Sequence, residues 1–354
     1  MTKAELDNRK ILPLEDSWYR RVKEKLDGIA KPLDGLGKFE HLIAQIGAIE
    51  KTTKISIQKK AVLVMCADNG VVEEQVSQSG KEVTLAVVKA MGVNNSSVGK
   101  MAAVAGVDVI PVDIGIDTDE VIPGVLPRKV AKGTKNFAKE PAMTEEEVLK
   151  AIETGIQLVQ QCHREGYEIL ATGEMGIGNT TTSTAVAAAL LDLEVEQVTG
   201  KGAGLTDEAL KRKCRVIKEA IEKYSLRDAD AFTILKTVGG LDIAGLTGVF
   251  IGAAIEQIPV IIDGVISAVA ALLAETLCKD AVNYMIPSHK SRELAETAIM
   301  KKLHLDPVLD ADMALGEGTG AVMMMSLLDV ALGVYLQGAS FANFEIEQYK
   351  RLSL

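Results

Sequence analysis

Aromatic residues are scarce in this chain: six Phe, six Tyr and a single tryptophan, Trp18, make up 4% of 354 residues. The core must be built from Ala, Val, Leu, Ile and Gly, which suit packed helices and parallel strands covered on both faces. Positive charge is also short, 39 Lys+Arg against 49 Asp+Glu, for a net charge of −10. That balance argues against a general binder of nucleic acid or of an anionic membrane surface, and leaves room for a local pocket holding one phosphate. The four cysteines, Cys66, Cys162, Cys214 and Cys278, form no CxxC pair, and no His stands at zinc-like spacing. A reduced, cytoplasmic protein without a metal or other cofactor is expected. Residues 1–10 are charged and do not read as a signal peptide. The apolar stretches 264–274 and 320–328 are too short to span a bilayer, and Asp263, Glu275 and Asp329 bound them.

Glycine, by contrast, is abundant: 31 Gly against nine Pro, clustered at 173–178, 200–204, 239–248 and 316–320, each beside an apolar run. With 47% apolar residues, the chain has enough material for a large α/β domain with a small appendage. Trp18, Val22, Leu26 and Ile29 recur at helical spacing, and a second helix is predicted over about 39–49 after a Lys31–Gly37 break. Short continuous apolar runs at 61–67, 107–112, 169–172, 258–262 and 282–286 predict buried strands. Helices are predicted between and beyond them, over about 82–91, 97–105, 207–223, 229–236, 245–256, 266–278, 291–302 and 318–337. Thr144 with Glu147 reads as a capping box opening a further helix to about 165. The stretch 116–142 reads as loops. Strand–helix alternation predicts a three-layer α/β domain with a mainly parallel, Rossmann-like sheet over 56–337. The polar segment 1–55 together with 338–354 is assigned to a small helical subdomain.

Three glycine-rich segments could carry chemistry. In Gly173-Glu174-Met175-Gly176-Ile177-Gly178-Asn179, a strand runs into a glycine turn and a helix start. Free backbone N–H groups and the positive helix end would suit a phosphate there, although a tight turn with an ordinary N-cap fits as well. The spacing matches neither GxGxxG nor a P-loop, which disfavours a dinucleotide-dependent oxidoreductase. Glu174, inside such a turn, is poorly explained by folding alone. Gly200-Lys201-Gly202, with Lys213 in the next helix, could form a second anion cradle, though Lys213 alone would fit a solvated helix face. Leu315-Gly316-Glu317-Gly318 repeats the Gly-Glu-Gly pattern before a long apolar helix, where a carboxylate also favours a helix N-terminus. Paired carboxylates near a phosphate pocket suit proton abstraction and stabilisation of positive charge. His289, between Ser288 and Ser291, fits a capping environment better than a catalytic one. Asp68-Asn69-Gly70, Asp242 and Asp263-Gly264 follow apolar or glycine-rich segments as turns or ligand contacts. The adjacent pair Glu73-Glu74 is the nearest match to a ribose-and-Mg²⁺ acid pair. It lacks a phosphate loop downstream and is rejected.

Taken together, segments 61–72, 173–181, 236–252, 259–267, 286–291 and 315–321 resemble the nicotinate-nucleotide:dimethylbenzimidazole phosphoribosyltransferase family over essentially the whole chain. The resemblance implies a homodimer that takes nicotinate mononucleotide and a benzimidazole-type base. It implies Glu317 as general base and Glu174 as second active-site carboxylate. Gly176, Gly202, Lys213 and Ser291 would surround the nucleotide phosphate, and Ser79, Met175 and Leu315 would line the base pocket; from their own place in the turns and strand ends, Gly178, Asn179 and Asp263 are added to the nucleotide site and Val87 to the base pocket. The chain departs from the family pattern at Asn69 (usually His), at Gly80 (usually Pro) and at Val87 (near an expected Gln). Loss of a polar partner at Val87 would favour an apolar acceptor over a hydrogen-bonding purine. A non-catalytic nucleotide-binding module would need neither Glu174 nor Glu317.

Overall fold

The computed structural model describes residues 1–202 and 204–351. Six parallel strands form one sheet: β1 (Lys60–Ala67), β2 (Val107–Gly115), β3 (Leu126–Pro127), β4 (Ile169–Met175), β5 (Val260–Ile262) and β6 (Met285–Pro287). Their order is β3-β2-β1-β4-β5-β6. The direction of winding reverses between β1 and β4, so the crevice for a ligand opens beyond the carboxyl ends of those strands.

All eight residues of β1 are buried, because helices cover both faces of the sheet. Ala61, Leu63 and Met65 point to one side, against helices Glu145–Arg164, Leu241–Glu256 and Val265–Leu277. Val62, Val64 and Cys66 point to the other, against helices Lys38–Ile49, Ser97–Ala105 and Thr319–Gln337. Burial of this alternating set, at ~25 cal/mol per Å² of apolar surface, is the main stabilising term.

Val22 and Leu26 of helix Asp16–Asp27 and Ile43 and Ile46 of helix Lys38–Ile49 share that second core with β1. The C-terminal segment returns to these helices. Ala30 N donates to Ala339 O at 2.8 Å, and Arg351 bridges Asp27 and Asp34. Residues 352–354 of the segment assigned to the helical subdomain lie outside the described residues.

Several elements differ from the sequence expectation for identifiable reasons. Residues 282–286 are not a strand throughout. Asp280 takes a left-handed φ of 74°, a single tight turn spans Ala281–Tyr284, and the strand is Met285–Pro287. The 116–142 excursion contains β3, whose two residues pair with Val112 and Asp113. The helix expected from 245 begins at Leu241, and that expected from 291 begins at Leu294. Glycines in the former are there for close packing. A Cβ at Gly155 would lie 2.1 Å from Gly245 O, and one at Gly248 would lie 2.0 Å from Ile152 O. The capping box is present as expected: Glu147 N donates to Thr144 Oγ1 at 3.2 Å and Thr144 N to Glu147 Oε2 at 2.7 Å. Helix Thr319–Gln337 matches the helix expected over 318–337, but as a whole it is 19 residues long and, unlike its 320–328 run alone, long and apolar enough to cross a membrane. Here it packs on the sheet through Val322, Met325 and Leu328, and its Asp329 pairs with Lys60 of β1 at 2.7 Å.

Candidate active site

A cavity of about 290 Å³ opens at the carboxyl ends of β4, β5 and β6, beside the reversal point. Glu174 and Met175 end β4, Asp263 follows β5, and His289 follows β6. The loop Ala314–Glu317 closes the cavity from the side of the second core.

Glu317 is held by backbone geometry. It has φ 62°, between Gly316 and Gly318 at φ 82° and 92°. Three successive left-handed residues fold the loop back on itself, which the glycines allow without a Cβ penalty. The loop then rests on β4: a Cβ at Gly173 would lie 2.5 Å from Glu317 O and 2.9 Å from Gly318 N. From there Glu317 Oε2 accepts a hydrogen bond from Val98 N at 3.0 Å, at the start of helix Ser97–Ala105. A helix N-terminus favours a carboxylate. Asp263 fixes the other side of the loop, with Oδ2 accepting from Gly318 N at 3.2 Å and Oδ1 from Ala321 N at 3.0 Å. It caps helix Thr319–Gln337 where an anion would otherwise sit.

Glu174 lies against the same loop, its Oε1 2.8 Å from where a Cβ of Gly316 would be. It is 8% exposed and accepts from the Asn179 side-chain amide through Oε2. Burial, followed by the negative charges of Asp242 and Asp263, pushes its pKa up to about 8. Burial likewise raises Asp263 to about 7 and Asp242 to about 6. The wall therefore holds a cluster of acids that is partly protonated at neutral pH and gains from a cation beside it.

The opposite end offers donors. Lys213 is wholly buried, its Nζ donating to Thr180 Oγ1 at 2.9 Å and Gly200 O at 3.3 Å, so one N–H remains for another acceptor. Burial lowers its pKa to about 8. Gly202 and Thr180 stand between it and the cavity, and Ser291 faces the same end. Ser288 Oγ donates to Asp263 O at 3.2 Å, so its 3.0 Å contact with His289 Nδ1 is accepted from an Nδ1–H. That leaves His289 Nε2 as an acceptor without a partner among the described residues, and burial favours the neutral ring by lowering its pKa.

The phosphoribosyltransferase family model matches residues 11–346. The chain is 45% identical over 329 residues to the nicotinate-nucleotide–dimethylbenzimidazole phosphoribosyltransferase of Acetivibrio thermocellus, covering 93% of this chain and 94% of that one. It is 43% identical over 339 residues to the enzyme of the same name from Clostridium acetobutylicum, covering 96% of each. Its backbone matches the crystal structure of CobT from Thermus thermophilus with a TM-score of 0.89 at 33% identity, over 94% of this chain and 100% of that one. The chain belongs to the nicotinate-nucleotide–dimethylbenzimidazole phosphoribosyltransferase family.

Of the candidate residues read from the sequence, Glu174, Glu317, Gly176, Asn179, Gly202, Asp263, Ser291, Val87, Met175 and Leu315 all line the cavity. Three do not. Lys213 sits one layer behind, and Gly178 turns away, with the site of a Cβ 2.7 Å from Val72 Cγ2. Ser79 lies in the loop before helix Glu82–Gly92, where its N–H bonds Ser77 Oγ at 3.3 Å. The departures at Asn69, Gly80 and Val87 thus do not form one lining: only Val87 faces the cavity, and Asn69 is buried behind Gly176. Glu73 and Glu74 both accept from the Asn136 amide, away from the cavity. His289, read from sequence as a capping residue, lines the cavity, as does Ser267, whose buried Oγ has no partner among the described residues. Ser267 carries no local sequence signal. Both come to the site through the ends of neighbouring strands.

Proposed function

We propose that this enzyme transfers the 5-phosphoribosyl group of nicotinate mononucleotide to 5,6-dimethylbenzimidazole or a related lower-ligand base. The products would be α-ribazole 5′-phosphate and nicotinate, in assembly of the cobalamin nucleotide loop. The nicotinate ring leaves through a pyridinium nitrogen that is already cationic. No pyrophosphate departs, so the chemistry does not call for a clamp on a polyphosphate leaving group. The azole nitrogen attacks C1′ from the opposite face, which inverts β to α, and its ring must lose the N–H proton.

Glu317 is suited to take that proton: its carboxylate is half-buried, anchored on Val98 N–H and borders the cavity. Glu174, with Asp242 and Asp263 behind it, supplies negative charge beside the oxocarbenium-like ribose. Lys213 behind Gly202, with Ser291, forms the phosphate end. The observation that carries the reading is two acids of unlike environment on one small cavity, one buried and raised, one half-buried at a helix N-terminus. Val87 and Leu315 give the acceptor end an apolar character. Incubating the enzyme with nicotinate mononucleotide and 5,6-dimethylbenzimidazole should release nicotinate with α-ribazole phosphate in equal amount. Absence of both products with intact binding of the nucleotide would leave a binding module instead.

A cytoplasmic homodimer belongs to the same proposal. Val104 and Val330, on the packed helices Ser97–Ala105 and Thr319–Gln337, are 91% and 73% exposed, a burden for a monomer. Light scattering that gives the monomer mass at micromolar concentration would contradict this.

A further inference from the structure

Beneath the glycine turn lies a polar layer of Asp242, Asn69 and Asn179, in which Asn179 reaches the cavity and the other two do not. Asp242 is 0% exposed, and its Oδ1 accepts from Ile243 N at 2.9 Å. Its Oδ2 has no complete hydrogen bond among the described residues. The backbone is pressed onto this carboxylate from two sides. A Cβ at Gly176 would lie 3.0 Å from Oδ2, and one at Gly240 would lie 2.3 Å from Oδ1. The amides of Asn179 and Asn69 face the same carboxylate and favour its charged form. Asn179 also donates through Nδ2 to Glu174 Oε2. One amide therefore stands between a carboxylate that faces the cavity and one that does not.

We propose that Asp242 is a positioning residue for Glu174: across the Asn179 amide it fixes the Glu174 carboxyl in the cavity wall. A side-chain amide has two N–H groups, so Asn179 can face Asp242 while it donates to Glu174. Other acids facing Glu174 are Asp263 and Glu317, and no cation is among its main charge partners. Among those charges Asp242 acts most strongly, and it raises the proton affinity of Glu174 in the same sense as burial does. This assignment rests on the reading of Glu174 as the acid that faces the reacting ribose.

The test is a ¹³C titration of selectively labelled glutamate in the full chain, with the Glu174 signal assigned by its loss in Glu174→Gln. Wild type should titrate near 8, and Asp242→Asn should bring the midpoint to about 7 or lower. Asn179→Ala removes a donor that favours the charged form, so its midpoint should rise; it supplies a second check should Asp242→Asn fail to fold. In kinetics, Asp242→Asn should lower kcat/KM about tenfold in wild type and less than about threefold in Glu174→Gln, because the two act through one group. An unmoved midpoint in both variants, or equal losses in both backgrounds, overturns the proposal. Glu174→Gln at full turnover with the midpoint still moving would instead refute the catalytic reading and leave the coupling standing.

Discussion

Replacing Gly173 by Ala adds a single methyl group to β4, yet that methyl group falls on the backbone that carries Glu317. The added Cβ would lie 2.5 Å from Glu317 O, 2.8 Å from its carbonyl carbon and 2.9 Å from Gly318 N, where ordinary contact starts at 3.4 Å. All three neighbours are main chain, so no flexible side chain can swing aside. The loop must retreat by about 0.9 Å. It is tied on its far side by the Val98–Glu317 and Asp263–Gly318 hydrogen bonds, so part of the shift is taken by those bonds. Overpacking of this kind costs about 1–3 kcal/mol, partly offset by about 0.4–1 kcal/mol from the stiffer unfolded chain. The protein should still fold, with melting lowered by a few degrees. Turnover should suffer far more, because a displacement of about 1 Å in a reacting group costs on the order of 10²-fold. The assay is nicotinate release at saturating nucleotide, with nucleotide affinity measured separately by calorimetry. A loss near 10²-fold with affinity changed by less than about threefold is expected. Turnover within about threefold of wild type would refute the placement of the Glu317 loop.

Lys213→Met should weaken nucleotide binding by about tenfold or more with a smaller effect on kcat, read as a KM against kcat split. Because burial brings Lys213 to about 8, nucleotide affinity should fall as pH rises through that value, and a flat profile from 7 to 9 would count against its role. The folded-state values of Glu174, Asp263 and Asp242 all stand above their unfolded ones. Their contribution is thus fully favourable below pH 4 and is lost as pH rises through about 6–8. Glu174→Gln should accordingly melt higher than wild type at pH 8.5, by about 1 kcal/mol or more, and no higher at pH 5; the reverse order would contradict the burial argument. Competition between 5,6-dimethylbenzimidazole, benzimidazole, adenine and p-cresol should favour the apolar acceptors, and Val87→Gln should shift the balance toward adenine. A clear preference of wild type for adenine would refute the role given to Val87.

How much of this was legible in the chain depended on whether a feature is local. The continuous apolar run at β1, the capping box at Thr144 and the glycine turns around Glu174 and Glu317 are encoded in adjacent residues, and all were readable. The 239–248 cluster was misleading for a physical reason. Glycine there serves contact between helices Leu241–Glu256 and Glu145–Arg164, and only the fold reveals the partner. Residues 282–286 have strand composition, but the left-handed Asp280 starts a turn first. In the site, Lys213 was picked out by its place after a glycine segment. Asp242 was left between a turn and a ligand contact, His289 was read as nearer to a cap than a catalyst, and Ser267 was not singled out, because what each one touches depends on neighbours that only the fold brings together. Asp263 illustrates the limit: it lines the cavity, and only the fold shows that both its oxygens also cap the helix behind Glu317.

Glu317 is the proposed acceptor of the proton lost by the attacking base. Glu317→Gln keeps the shape and the loop while abolishing basicity, so single-turnover nicotinate release from pre-bound nicotinate mononucleotide isolates that step. General-base help is worth about 10²–10⁴-fold, and a loss in that range with nucleotide affinity retained is the predicted result. Turnover close to that of the unaltered enzyme would contradict it.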